Sequence, residues 1–192
     1  MYHKRNKELD VISLYSGNYK IEFYLRQISK LAKLPLKTCQ NVLVTFETKK
    51  ILKGKVEGRN KYFSLNLDNI QTKSILLQAE IYKTELFLEL YPQFKTFLKE
   101  LKTNTLIVIF GSFAKLESNK DSDLDLLIIS EKKQKLPYHL LPYKVHEVNL
   151  SEISFIKAVK EQETLMKEIE EKHVVLNNHS LYVNTIWGQY GR

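Results

Sequence analysis

One cysteine, Cys39, stands in 192 residues. Its solitude rules out an intrachain disulfide and any cysteine-built zinc cluster, and Val42, Leu43 and Phe46 nearby in sequence suit a small buried hydrophobe rather than a redox centre. Apolar runs are short: none approaches the length needed to cross a bilayer, and no charged-then-apolar segment opens the chain. The expectation is a soluble, cytoplasmic protein with no membrane partner. Proline is also scarce, at four residues. Each one punctuates: Pro35 and Pro92 interrupt helical patterns, while Pro137 and Pro142 keep one segment irregular. What the chain has is 43% hydrophobic residues, enough for cores, and a length that admits one large domain or two small ones.

Acidic residues are sparse in the first third. Residues 1 to 68 hold 14 Lys and Arg against 6 Asp and Glu, whereas the remainder holds 16 of each, so the whole net charge of +8 lies at the N-terminal end. A basic module joined to a neutral one suits a polyanionic partner, most simply nucleic acid. A lysine-rich solvated surface is the alternative.

The chemistry concentrates between Leu106 and Ile129, LIVIFGSFAKLESNKDSDLDLLII. Leu106 to Phe110 is an apolar, β-branched run stopped by Gly111, which predicts a buried strand, and Leu124 to Ile129 predicts a second. Side chains alternate along a strand, so Asp123 and Asp125 fall on one side and Leu124 and Leu126 on the other. Two converging carboxylates repel unless cations neutralise them, and hard oxygen donors suit Mg²⁺. Gly111 permits a tight turn close to a ligand, Ser112 adds a hydroxyl for phosphate oxygens, and Lys115 adds a positive charge one turn later.

The arrangement G-S-x10-D-x-D, formed by Gly111, Ser112, Asp123 and Asp125, resembles the signature of the polymerase β-like nucleotidyltransferase superfamily, in particular its minimal stand-alone members. The resemblance implies two Mg²⁺ ions held by the aspartates, a nucleoside triphosphate (ATP foremost) whose phosphates meet Gly111, Ser112 and Lys115, and transfer of a nucleotidyl group to an acceptor hydroxyl. Superfamily members place a third acid on a neighbouring strand. Here Tyr143 to Leu150, YKVHEVNL, offers no aspartate. Glu147 is its only carboxylate and takes the catalytic and metal-binding role by that resemblance, with Asn149 and His146 as the other candidates.

Toward the N-terminus, helical spacing over Lys7–Tyr15, Glu22–Leu34 and Cys39–Phe46 predicts three helices, the third with Lys37, Thr38, Gln40 and Asn41 outside. Two short strands follow around Glu57-Gly58-Arg59-Asn60, with Lys53, Lys55, Arg59 and Lys61 on the arms and tip. Together these elements resemble a winged helix-turn-helix domain. The likeness implies duplex DNA contacts from Lys37, Thr38, Gln40 and Asn41 on the third helix and from the four wing cations. Winged helices serve also as protein-contact modules.

Between the modules, Ile70–Tyr91 predicts a long amphipathic helix with a face wide enough to pack the two domains together or to pair two chains as a homodimer, and a second helix follows Pro92. A helix over Ile153–Lys172 and a hairpin, or a strand and turn, over Val174–Val183 complete the chain; His173 and His179 read as surface residues. The expected class is α+β: a winged helix over 1–66, a helical connector over 67–103 and a mixed-sheet nucleotidyltransferase domain over 104–192. Two functions stay open. One is an Mg-dependent enzyme acting on a protein or RNA acceptor, such as a partner toxin; the other is a DNA-binding regulator whose nucleotidyltransferase-like domain only senses nucleotide.

Overall fold

A computed structural model describes residues 5–119 and 122–191. The chain forms two compact units, one ending at Ala79 and regaining Tyr190, the other spanning Glu80–Gln189.

The first unit opens with α1, Lys7–Ile12, whose cap residue Asn6 accepts from the backbone N–H of Glu8 and Leu9 at 3.1 and 3.2 Å. A short strand β1, Phe23–Tyr24, leads straight into α2, Leu25–Ala32, so the helix begins three residues later than its apolar spacing predicts. Leu31, which the apolar spacing over Glu22–Leu34 would place with the inward-facing residues, is 52% exposed. Lys33 adopts a left-handed conformation that ends α2, and Pro35 precedes α3, Leu36–Thr48. The hairpin β2, Leu52–Glu57, and β3, Asn60–Leu65, turns through Gly58 at φ +58°, and β3 lies between β1 and β2. Ile12, Ile28, Cys39, Leu43, Phe46 and Leu52 are all buried. Tyr15 ties the helices to the sheet by donating to the carbonyl of Phe63 at 3.1 Å.

α4, Ile70–Leu90, starts in the first unit and continues into the second, followed by α5, Gln93–Lys99. The second unit is built on a four-stranded sheet. Its strands are β4, Leu106–Phe110; β5, Leu124–Ile129; β6, Val145–Leu150; and β7, Val174–Asn177, in the order β6-β5-β4-β7. Only the β5–β6 pair is parallel; β4 runs antiparallel to β5 and β7. Ile107, Ile109, Leu124, Leu126, Ile128 and Leu176 pack with Phe87, Phe94, Phe97 and Phe113 into one core. Val108, Leu127 and Val175, which alternate with those residues, are also buried. Both faces of the sheet are therefore covered, which explains why β4 and β5 read as continuous apolar runs.

Two segments differ from expectation. The predicted helix over Ile153–Lys172 is two helices, α7, Glu152–Glu161, and α8, Thr164–Glu171, because Gln162 turns left-handed at φ 53°. Beyond β7 the chain does not return as a strand. Asn178 accepts from the Leu181 N–H at 3.3 Å and opens α9, His179–Tyr190, which buries Tyr182, Val183 and Ile186.

Candidate active site

β4 carries the chain to Phe110 and stops there, because Gly111 has φ +66° and begins the short helix α6, Gly111–Lys115. A side chain at this position would meet two obstacles. The conformation is left-handed, and a Cβ would lie 2.3 Å from Oδ2 of Asp125. The register pairs Phe110 with Asp125, so the carboxylate lies beside the point where β4 gives way to α6. Ser112 follows in the first turn of α6, half-buried. Lys115, at the far end of that helix, lies 3.6 Å from Glu168 Oε1 on α8.

Asp123 stands one residue before β5 and Asp125 is its second residue, so strand alternation sends both carboxylates to one side. The parallel neighbour β6 and the residue just before it bring a histidine and a lysine to the aspartates rather than a third acid. Lys144 Nζ sits 3.0 Å from Asp123 Oδ2, and His146 Nδ1 sits 3.2 Å from Asp125 Oδ1.

Register explains the pattern. Asp125 pairs with His146, and Leu126 pairs with Glu147. Glu147 therefore shares the face of Leu126, opposite the aspartates, where it accepts from the Tyr138 hydroxyl and from Asn149 Nδ2 at 3.2 Å. Burial and the Glu147 carboxylate push the Tyr138 hydroxyl well above its ordinary value, which keeps it protonated and donating. The structure thus gathers Gly111, Asp123 and Asp125 with Lys144 and His146. It leaves Glu147 outside that group, because one residue of register turns a side chain to the other face.

Among the described residues, no group of three or more His, Cys, Asp and Glu is gathered to hold a metal ion. The donor set still fits a divalent cation that takes a few protein oxygens and completes its shell with water and phosphate. Asp123 and Asp125 offer hard oxygens on one side of the strand end, the Lys144 ammonium already stands as a cation against Asp123, and the space a Cβ would fill at Gly111 borders Asp125 Oδ2.

A second polar group in this unit lies inside the protein. Glu80 on α4 is fully buried and pairs through Oε2 with Lys83 Nζ at 3.0 Å and His173 Nε2 at 3.1 Å. Burial alone would raise the Glu80 carboxyl, but His173 and Lys83 outweigh it and hold it at about 2. His173, read from sequence as a surface residue, is 3% exposed, with Nδ1 2.7 Å from the Ile169 carbonyl. His179 is partly buried, its Nε2 2.8 Å from the Thr84 hydroxyl, and burial lowers it below its usual value.

In the first unit, Lys37, Gln40 and Asn41 are exposed on α3 and Thr38 is half-buried. Arg59 lies exposed at the hairpin turn. The three hairpin lysines face carboxylates: Lys53 meets Asp68 at 2.6 Å, Lys61 meets Glu47 at 2.6 Å, and Lys55 pairs with Glu57. No described helix is long and apolar enough to cross a membrane.

No match was found among curated proteins or among solved structures. Residues 91–178 match the family model described as nucleotidyltransferase domain, a span that contains α5, the four strands and the aspartate pair, and the match supports nucleotidyl transfer as the general chemistry of this unit.

Proposed function

We propose that the second unit is a divalent-metal-dependent nucleotidyltransferase that moves a nucleotidyl group, AMP from ATP, onto a hydroxyl of a protein or RNA. The observation that carries this reading is the junction of Gly111 with Asp125, where strand end, backbone turn and carboxylate meet without an intervening side chain. Asp123 and Asp125 hold the cation, which when bound would neutralise phosphate charge and polarise the reacting phosphorus. Gly111 and Ser112 orient the triphosphate tail, and Lys115 offsets its charge once it leaves Glu168. The acceptor hydroxyl attacks the α-phosphorus, giving its proton to solvent water as the new P–O bond forms and the bond to pyrophosphate breaks, a step governed by positioning and electrostatics.

The first unit has the order helix, strand, two helices and hairpin. That order supports a winged helix, and we infer duplex DNA as its partner from the basic residues of the hairpin and the exposed Lys37, Gln40 and Asn41 of α3. A toxin-like protein acceptor and homodimer formation belong to the same proposal. A second reading draws on one specific observation: Lys144 and His146 stand where a further carboxylate would complete the acid set, and Glu147 faces away. Under that reading the domain binds nucleotide without transferring it and serves a DNA-bound regulator.

The deciding experiment incubates the protein with ATP labelled at the α-phosphate, divalent metal and lysate of its source. Label that reaches a macromolecule with the unaltered chain and disappears with the Asp123→Asn, Asp125→Asn pair establishes transfer. Intact ATP binding without label selects the regulator.

A further inference from the structure

We propose that His146 is a nitrogen ligand of the metal bound at Asp125, and that it tunes the site toward a first-row transition ion such as Mn²⁺ in preference to Mg²⁺. The inference rests on the metal-dependent reading of the second unit and specifies its cation.

Three observations carry it. The β5–β6 register sets His146 directly opposite Asp125, so both side chains leave the sheet on the same side. His146 Nδ1 and Asp125 Oδ1 lie 3.2 Å apart. Two ligands at right angles on an ion with bonds of about 2.1 Å are separated by about 3 Å, so the pair already has the spacing of neighbours in one coordination shell. The third observation concerns what else β6 brings to that face. Its only carboxylate, Glu147, points to the other side and is held there by Tyr138 and Asn149. The donor opposite Asp125 is thus an imidazole.

Exposure favours the role. His146 is 69% exposed at its side chain and Asp125 27%, so the imidazole has room to meet an ion at the carboxylate beside Gly111. The consequence is one of ligand chemistry. Mg²⁺ takes oxygen donors and gives up water reluctantly, whereas imidazole nitrogen binds progressively better from Mn²⁺ through Co²⁺ to Ni²⁺. A carboxylate–imidazole pair at the strand end selects for the latter group, with triphosphate oxygens and water completing the shell.

The test uses the full chain with Mn²⁺ and inorganic triphosphate, a nitrogen-free stand-in for the nucleotide tail, and reads pulsed electron paramagnetic resonance of the bound ion. The expected result is nitrogen-14 modulation from a directly coordinated imidazole, which vanishes when histidine in the unaltered chain is labelled with nitrogen-15. Competition titrations should show Mn²⁺ bound at least about tenfold more tightly than Mg²⁺, and His146→Asp should keep Mn²⁺, lose the modulation and narrow that preference severalfold. Bound Mn²⁺ lacking imidazole modulation overturns the role of His146 while leaving the metal-dependent reading in place. Failure of both ions to bind, with and without triphosphate, overturns the two together.

Discussion

Gly111 and Asp125 compete for one space: a Cβ on the glycine would stand 2.3 Å from the aspartate's Oδ2. Gly111→Ala should therefore displace the carboxylate as well as strain a backbone held at φ +66°. The left-handed conformation costs an alanine about 1 to 2 kcal/mol. Metal binding and labelled-nucleotide transfer should fall toward the level of Asp125→Asn, while thermal unfolding shows only that moderate loss. A variant with full transfer and unchanged metal affinity would remove the aspartate from the role given to it here.

Lys144 Nζ stands 3.0 Å from Oδ2 of Asp123, on a side chain that is 82% exposed. An exposed pair of this kind stabilises the fold little, but it competes with any ion that binds the same carboxylate. Lys144→Ala should raise divalent-metal affinity by up to about fivefold without a measurable change in melting temperature. Isothermal titration with Mn²⁺ and Mg²⁺ would read it, and a decrease in affinity would instead make Lys144 a partner of the bound phosphates.

The buried Glu80 group makes the stability of the second unit depend on acid. Glu80 has its folded value lowered from 4.5 to about 2, so its contribution is fully present above about pH 4.5 and is lost as pH falls toward 2. The lowered His179 acts earlier, since the unfolded chain binds its proton first as pH drops below about 6.5. Denaturant midpoints should decline from pH 7 toward pH 5 and more steeply below pH 4.5. Glu80→Ala, which removes the buried carboxylate that Lys83 and His173 share, should cost about 3 to 5 kcal/mol and flatten the acidic limb. A variant as stable as the parent at pH 7 would contradict this account.

Duplex DNA affinity should fall steeply with salt if the hairpin and α3 meet phosphates. Each phosphate contact contributes about −0.9 to the slope of log affinity on log salt, so neutralising Lys53, Lys55, Arg59 and Lys61 together should reduce its magnitude by about 3 to 4. The existing pairs of Lys53, Lys55 and Lys61 with Asp68, Glu57 and Glu47 are exposed enough to exchange for phosphate. Binding that ignores salt would assign this unit to protein contacts.

Much of the second unit is legible in the sequence because its signals are local. The β-branched run before Gly111, the Gly-Ser turn and the alternation through Asp123 and Asp125 each need only neighbouring residues to be read. What escapes is relational. Whether His146 or Glu147 meets Asp125 depends on the alignment of two parallel strands joined by a long connection, and YKVHEVNL is compatible with either. Glu80 was readable in part: it lies four residues after Leu76 and seven before Phe87, a charged position within an apolar helical stripe. Its partner His173 was not, since nothing local marks the histidine before β7 as buried. The spacing of Tyr182, Val183, Ile186 and Trp187 does carry α9, but the β-branched content of Val174–Val183 masks it.

β6 is an edge strand of its sheet, bonded on one side only. His146 within it and Lys144 just before it have exposed side chains, while β4 and β5 keep their buried side chains in the middle. Positions 144 and 146 can be rewritten, lysine or histidine to acid and back, with little disturbance to folding. Were a cation to bind the aspartates, selection could revise its identity by editing the margin of the sheet and leaving its centre untouched.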